Sequence, residues 1–121
     1  MILLDSCALI HVLRGTEKGK TIKKALENEN YGTTALCVHE VLIGSQEKDV
    51  LLSFFKSIQI FSFDMESSLK SVELEAVLKK KGKMIGKIDL FIASICLAHN
   101  LQLMTTDEDF RNIPGLQLLF F

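Results

Sequence analysis

Four acidic residues occupy positions where the surrounding sequence is apolar. A carboxylate buried alone is costly, so four such positions suggest side chains that meet and share a cation. Carboxylate oxygens are hard ligands, suited to Mg²⁺ or Mn²⁺. No histidine lies at the spacing of a zinc site, and no Cys-x-x-Cys pair competes with the acids. The four acids, each within or beside an apolar run, are Asp5, Glu40, Asp89 and Asp107.

A divalent ion held by these acids would support chemistry on a phosphoryl group. Such an ion lowers the pKa of a water and neutralises charge that develops on the phosphoryl oxygens. Carboxylates this close raise one another's pKa, so the metal-free site is expected to be strained when fully ionised. An acidic pocket also repels a phosphodiester until metal binds. The pattern therefore predicts strict dependence on Mg²⁺ or Mn²⁺.

Each acid also has a purely structural explanation. Asp5 could cap the first helix, although Ser6 is equally able to. Glu40 could form a salt bridge, and Asp89 could interact favourably with the positive end of its own helix. Asp107 could cap the short turn that follows it. These readings explain each residue alone, but not why four separate segments deliver an acid to one edge.

Short apolar segments alternate with longer helical patterns along the chain. This alternation predicts an α/β fold with a mainly parallel sheet covered by helices on both faces. Ligands bind beyond the carboxyl ends of the strands in such sheets, and this topology brings all four acids toward one rim. Strands are predicted over 2–5, 31–34, 58–63, 101–105 and 116–119, and helices over 6–13, 17–28, 35–46, 47–55, 64–81 and 87–100.

Length and composition favour one cytoplasmic domain over residues 1–121. The chain is 48% hydrophobic, yet its longest apolar run, Leu90 to Ala98, is too short to span a membrane. No charged segment precedes a signal-like apolar stretch, so secretion is not expected. Three cysteines in apolar surroundings are interpreted as buried free thiols in a reducing compartment: Cys7, Cys37 and Cys96.

Basic residues are concentrated just before the third acid. The net charge is only −1, which is not that of a strong nucleic-acid binder. Five lysines nevertheless fall within residues 79–87. They could be the solvated end of a helix, where cations favour the negative end of the dipole, or a patch that contacts phosphates, or both. Lys83 and Lys87 are the candidate contacts to a nucleic-acid backbone.

The acids lie in four motifs that together resemble those of PIN-domain proteins. More closely, the chain is similar to VapC-type toxins of bacterial and archaeal toxin–antitoxin pairs. The resemblance covers essentially the whole chain, in order and at ordinary spacing. Its motifs are 3–6 (LLDS), 39–44 (HEVLIG), 87–93 (KIDLFIA) and 103–110 (LMTTDEDF).

The resemblance implies a three-layer α/β/α sandwich and Mg²⁺- or Mn²⁺-dependent endoribonuclease activity. It also implies an RNA substrate, a cognate antitoxin protein, a homodimer and no membrane association. The acidic quartet of the family falls on the four acids already named, and Ser6 and Thr106 match its supporting polar positions. Asp109 is expected to be peripheral, capping a helix or acting outside the metal's own ligands, with its side chain pointing away from Asp107.

The mechanism expected on this basis is hydrolysis of a phosphodiester. Asp5, Asp89 and Asp107 would hold the ion, and Glu40 would help to bind it or orient the attacking water. In-line attack would release the 3′ oxygen and leave a 5′-phosphate. Ser6 and Thr106 would hydrogen-bond a water or the phosphate.

Two other functions are considered. The first is a non-catalytic RNA-binding or assembly module that keeps the PIN fold. The second is a phosphoryl-transfer enzyme with Asp5 as a covalent acceptor, but a haloacid-dehalogenase-like site would need an acid where Cys7 stands. The histidines are not expected to be catalytic: His11 and His99 fall near helix ends, where exposure is the norm.

Overall fold

A computed structural model describes residues 1–121, the full sequence. It contains five strands, six α-helices and one 3₁₀ helix over Glu108–Asn112. The strands are β1 (Ile2–Leu4), β2 (Tyr31–Thr34), β3 (Gln59–Phe61), β4 (Gln102–Thr105) and β5 (Leu118–Phe120). The helices are α1 (Ser6–Arg14), α2 (Glu17–Ala25), α3 (Ala35–Ile43), α4 (Lys48–Lys56), α5 (Met65–Lys81) and α6 (Lys87–His99).

The strands form one sheet in the order β3-β2-β1-β4-β5, and every neighbouring pair is parallel. The chain moves outward from β1 through β3 and then returns to β4 on the other side of β1. Because crossovers between parallel strands are right-handed, this reversal puts α1–α4 on one face and α5–α6 on the other. The predicted α/β/α sandwich is confirmed, and the mainly parallel sheet is wholly parallel.

The reversal also determines where a ligand would bind. In a doubly wound sheet, the crevice opens beyond the carboxyl ends of the two strands from which the chain departs in opposite directions. Here those strands are β1 and β4, which pair through Leu3–Leu103 and Leu4–Met104. Asp5 follows β1, and Thr105 is the last residue of β4. This crevice is therefore where functional side chains are expected to meet.

Parallel strands covered on both faces are nearly continuous in hydrophobic residues, and this sheet follows that rule. Leu3 and Leu103 are fully buried at its centre, with Leu4 and Met104 almost so. The helices add Leu9, Ile22, Leu78 and a run of buried residues in α6. The core thus lies directly beneath the crevice and holds the ends of β1 and β4 in place. None of the helices combines the length and the apolar composition that crossing a bilayer requires.

Short polar side chains cap four of the six α-helices, namely α1, α2, α3 and α5. Asp64 caps α5 by accepting from the backbone N–H of Ser67, as predicted. The Ser67 hydroxyl also donates to this carboxylate, and the two bonds lower the pKa of Asp64 to about 2. At α1 the cap is Asp5 and not Ser6, because Ser6 is already the first helical residue.

Several elements end earlier than predicted, or start elsewhere. Helix α2 ends at Ala25 because the chain turns there and Asn28 adopts a positive φ of 65°. Helix α3 ends at Ile43, before Gly44. Strand β5 begins at Leu118, two residues late, since Gly115 at φ 78° extends the preceding turn. None of these differences between predicted and observed ends involves one of the four acids.

Candidate active site

Asp5 forms the floor of the site. It is only 2% exposed, and both carboxylate oxygens accept hydrogen bonds. The backbone N–H of Ala8 donates to Oδ1 at 2.9 Å, and the Thr105 hydroxyl donates to Oδ2. Burial raises the pKa of Asp5 to about 6; the two hydrogen bonds oppose the rise, and the charges of Asp89 and Asp107 add to it.

The register between β1 and β4 explains the contact between Asp5 and Thr105. Because Leu4 pairs with Met104, the next residue on each strand lies side by side at the carboxyl edge. The backbone N–H of Asp5 donates to the Met104 carbonyl at 3.2 Å, which continues the ladder by one step. Thr105 Oγ1 in turn accepts from the backbone N–H of Asp107 at 3.0 Å. Thr105 therefore links the first acid to the last motif.

Three carboxylates converge above this floor. Asp89, Asp107 and Asp109 each place an oxygen within 4.8 Å of the other two. Asp89 stands in the first turn of α6, and Asp107 caps the 3₁₀ helix by accepting from the backbone N–H of Asp109 at 2.9 Å. Burial raises the pKa of Asp89 to about 6, and repulsion from Asp107, Glu40 and Asp109 contributes. Three carboxylates this close together are expected to attract a cation.

Glu40 approaches from the opposite side, on α3. The Ser6 hydroxyl donates to its Oε1 at 2.9 Å, which ties α1 to α3 beside the floor residue. Helices α1 and α3 pack against each other, and Glu40 is half-buried between them. It does not join the three-carboxylate cluster, but it is near enough for its charge to act on Asp89. Ser6 is thus a positioning residue for this carboxylate.

The structure brings all four sequence-predicted acids to one rim, in two parts. Asp89 and Asp107 share the cluster, while Asp5 and Glu40 stand next to it. The prediction that the Asp109 side chain points away from Asp107 is wrong, because the 3₁₀ turn folds it back toward its neighbour. Asp109 is thus a full member of the cluster.

Thr105 is the residue that sequence reasoning missed. Thr106 is predicted to hydrogen-bond a water or the phosphate; its side chain makes no hydrogen bond within the protein, so this role stays a prediction. Thr105 makes two hydrogen bonds at the site. The sequence has no signal that separates the two threonines, because the choice depends on which residue of β4 lies beside Asp5.

The two candidate lysines differ in their surroundings. Lys87 Nζ is paired with Glu75 Oε1, across the contact between α5 and α6. Lys83 is exposed and forms no ion pair, and its backbone N–H completes the C-terminal cap of α5 by donating to Leu78. Neither contact tests a role in nucleic-acid binding, which stays a prediction for both.

Three further residues depart from expectation. Cys7 is exposed and not buried, because it lies on the outer side of the first turn of α1 beside the acids. Partial burial of its sulfur and the charge of Asp5 raise the pKa of this thiol to about 11. His11 and His99 are only partly exposed, since each imidazole has a partner: Thr16 Oγ1 at 2.8 Å and Asp64 Oδ2 at 2.7 Å.

The donor set fits a hard divalent cation. Oxygen atoms from three side chains lie at mutual distances that one ion can bridge, and no nitrogen or sulfur ligand stands among them. Burial is the main cause of the raised pKa values of Asp5 and Asp89, and the charges of neighbouring acids add to it, so a bound cation would stabilise both ionised carboxylates. Asp89, Asp107 and Asp109 would hold such an ion, with Asp5 beneath them.

Two curated proteins are similar in sequence. "Ribonuclease VapC2" of Rickettsia felis is 35% identical over 74 residues, which are 60% of this chain and 55% of that protein. "VapC ribonuclease Y4jK" of Sinorhizobium fredii is 33% identical over 61 residues, which are 50% of this chain and 44% of that protein. These alignments span about half the length of either relative. They confirm the resemblance to VapC-type proteins.

Solved structures share the fold over the whole chain. The VapBC2 structure of Rickettsia felis, bound to a DNA fragment from its promoter, matches with a TM-score of 0.85 and 26% identity, covering 100% of this chain and 99% of that one. The DNA-bound VapBC of Salmonella typhimurium has a TM-score of 0.83 at 18% identity, with coverage of 98% and 96%. The second likeness shows the fold alone.

The family model for the PIN domain covers most of the sequence. It matches residues 2–116, a range that contains every strand and helix except β5. All four motifs quoted from the sequence lie within that range. The chain therefore belongs to the PIN-domain family.

Proposed function

We propose that this protein is a metal-dependent endoribonuclease that acts as the toxin of a VapBC-type toxin–antitoxin pair. The observation that carries the proposal is the convergence of Asp89, Asp107 and Asp109 over the buried Asp5, at the switch point of a PIN fold. Relatives named as VapC ribonucleases support the choice of RNA as substrate. Mg²⁺ or Mn²⁺ is the proposed cofactor, because the donors are all oxygens.

The proposed metal ligands are Asp89, Asp107 and Asp109, with Asp5 and Glu40 completing the acidic site. A bound divalent ion would supply charge neutralisation at the phosphoryl oxygens and a lowered pKa for water. Asp5 contributes fixed negative charge at the floor, held in place by Ala8 and Thr105. It can approach the ion directly or through a water.

Glu40 is proposed to orient the attacking water. Ser6 donates to its Oε1, and Oε2 has no hydrogen-bond partner in the protein and can accept from water. A proton released during attack would pass to this oxygen. Attack in line with the leaving 3′ oxygen would yield a 5′-phosphate product.

An antitoxin is the proposed protein partner, and the surface formed by α1, α2 and α4 fits it. Val12, Leu13 and Phe54 form an apolar floor there, in a cavity of about 640 Å³. Three lysines, Lys20, Lys23 and Lys24, and one acid, Glu27, also line it, so its charge is net positive. An amphipathic helix with acidic flanks would match this combination of apolar floor and basic rim. Leu9 and Ile22, by contrast, are fully buried in the core and are not available to a partner.

A homodimer is proposed through the outer face of α5. Met65, Leu69 and Val72 are 74%, 63% and 71% exposed and follow one another at helical spacing. The inner face of the same helix is already used against α6 by Leu74 and Leu78. A second copy of the chain would cover this outer apolar stripe.

Inducible expression of wild type and Asp5→Asn tests the proposal. The wild type is expected to arrest growth and to create new RNA 5′ ends that carry a phosphate, and the variant is expected to do neither. Asp49→Asn, on the exposed surface of α4, is the matched control and should behave as wild type. Purified protein should cleave RNA with Mg²⁺ or Mn²⁺ and not with EDTA.

Two outcomes would contradict the proposal. Full cleavage by purified Asp5→Asn, free of contaminating nuclease, would remove the acidic site from the chemistry. Full toxicity of an Asp89→Asn protein in cells would favour the non-catalytic RNA-binding or assembly module instead.

A further inference from the structure

A shallow cavity opens directly beside the acidic site, on the side of α3. It has a volume of about 510 Å³ and is lined by Ala35, Leu36, His39, Glu40, Ile43 and Ile88. Two of these residues join it to the acids: Glu40 belongs to the site, and Ile88 immediately precedes Asp89 in α6. Anything bound at the acids therefore has this cavity as its neighbour.

The lining is apolar, with a single imidazole and a single carboxylate. Ile43 is 70% exposed and Ile88 is 40% exposed, because no other part of the chain covers them. His39 is exposed and shares the surface. No lysine or arginine lines the cavity, and Glu40 would repel a phosphate there. The chemistry suits a flat, uncharged ring, which stacks on an imidazole and on aliphatic side chains.

The three upper acids determine where a substrate phosphate lies. Asp109 is exposed and Asp89 and Asp107 are half-buried, so a phosphodiester bound to them has the walls of the crevice on either side. In a single strand, a base beside the cut phosphate can turn toward one of these walls. The cavity between His39 and Ile88 is that wall on one side.

We propose that this cavity binds an unstacked nucleobase next to the scissile phosphate. The inference rests on the proposed ribonuclease function and adds a base-binding subsite to it. His39 stacks on the ring, and Ile43 and Ile88 contact its edge and opposite side. These residues are specificity determinants, since they touch the substrate away from the reacting atoms.

The test compares His39→Ala, His39→Phe and Ile43→Ala with wild type on a short single-stranded RNA in Mn²⁺. Because stacking of one base is worth about 1–3 kcal/mol, His39→Ala should raise KM roughly 5- to 150-fold. His39→Phe should restore KM, since it keeps a flat ring. Val77→Ala, an exposed apolar residue at 39% that lies outside the cavity, is the control and should leave KM unchanged.

A second arm removes the base and not the protein side chain. Two RNAs are compared, with an abasic nucleotide on one side or on the other side of the cleaved bond. One of the two should be a poor substrate for the wild type. At that position His39→Ala should cause no further loss. The fluorescence of 2-aminopurine placed there should be quenched on binding in Ca²⁺, and less so with His39→Ala.

The outcomes separate the inference from the function on which it rests. If wild type cleaves but His39→Ala and Ile43→Ala leave KM and the fluorescence unchanged, the base subsite is overturned and the ribonuclease stands. If the substitutions change the sedimentation of the free protein and not KM, a second copy of the chain covers this surface and the subsite is also overturned. If wild type cleaves no RNA with either metal, both proposals fail.

Discussion

The hydroxyl of Thr105 donates to the carboxylate of Asp5, although 100 positions separate the two residues in sequence. The contact joins the ends of β1 and β4 at the switch point of the sheet. Thr105 is fully buried, and its oxygen also receives the backbone N–H of Asp107. A single hydroxyl therefore orients the floor acid and holds the start of the last acidic motif.

Thr105→Val is expected to destabilise the protein. The substitution conserves shape but removes a donor to a buried carboxylate and an acceptor for Asp107, so the free energy of unfolding should fall by about 1–3 kcal/mol. The loss should be greater at pH 8, where Asp5 is ionised, than at pH 5. Urea denaturation at both pH values measures it. Thr106→Val is the control, and an equal loss from it would contradict the special position of Thr105.

This contact also shows what the sequence could and could not reveal. Apolar runs locate strand ends, so Asp5 and Asp107 could be placed at the carboxyl edge, and the alternation of elements predicted the sheet and its layers. The register of β1 against β4 decides which threonine faces Asp5. A shift of one residue would turn Thr106 toward this acid and Thr105 away from it. That register is set by tertiary packing.

The orientation of Asp109 escaped prediction for a different reason. Two residues apart, Asp107 and Asp109 would point to nearly opposite sides of an α-helix, and in a loop they would have no fixed relation. The 3₁₀ turn brings them together, because the Asp109 N–H bonds the Asp107 carboxylate. The type of a short turn depends on side-chain hydrogen bonds that local propensity does not specify.

Asp109→Asn is expected to weaken metal binding. Loss of a group in or just outside a metal's ligand shell typically costs about 10- to 100-fold in affinity. Titration of the purified protein with Mn²⁺, followed by electron paramagnetic resonance, measures the change. Glu108→Gln is the matched control, because that neighbouring acid is exposed and paired with Arg111. Equal affinities for Asp109→Asn and wild type would place Asp109 outside the ligand set.

The metal-free protein should lose stability as pH rises from about 4 to 7. Folding raises the pKa of Asp5 and of Asp89 from 3.8 to about 6. A carboxyl with a raised pKa stabilises the folded state fully below its unfolded value, and that contribution disappears as pH rises through the folded value. Denaturation in EDTA at pH 4.5 and 7.5 measures the difference.

Two comparisons attribute this dependence to the site. Asp89→Asn should flatten it, whereas Asp49→Asn on the surface of α4 should not. Mn²⁺ added at pH 7.5 should restore stability, because an ion that binds only the folded state stabilises it by mass action. A metal-free protein whose stability is the same at both pH values would show that folding does not raise the pKa of these acids.

Gly19→Ala should destabilise the packing of α1 against α2. Gly19 is buried where α2 meets the end of α1, and an added Cβ would overlap the His11 carbonyl. Overpacking of this kind costs about 1–3 kcal/mol or more, since a backbone group must move. Thermal and urea denaturation measure it. Gly44→Ala is the control, because its nearest neighbour is Glu40 O at 3.8 Å; equal effects of the two substitutions would refute the argument.

Lys83 and Lys87 should differ in their contributions to RNA binding. Lys87 is held by Glu75 across α5 and α6, so its charge is partly compensated, while Lys83 has no acidic partner. Lys83→Ala should raise KM for RNA and reduce the slope of log affinity against log salt by about 0.7, the value for one phosphate contact on a single strand. Lys87→Ala should change both quantities less.

Glu75→Gln tests whether the ion pair causes this difference. The substitution releases Lys87 and should strengthen its contribution, so that Lys87→Ala has a larger effect in the Glu75→Gln background than in wild type. Binding of a single-stranded RNA measured at several salt concentrations gives both slopes. If Lys83→Ala leaves the slope unchanged in either background, the basic segment before α6 is a solvated helix end and not a phosphate contact.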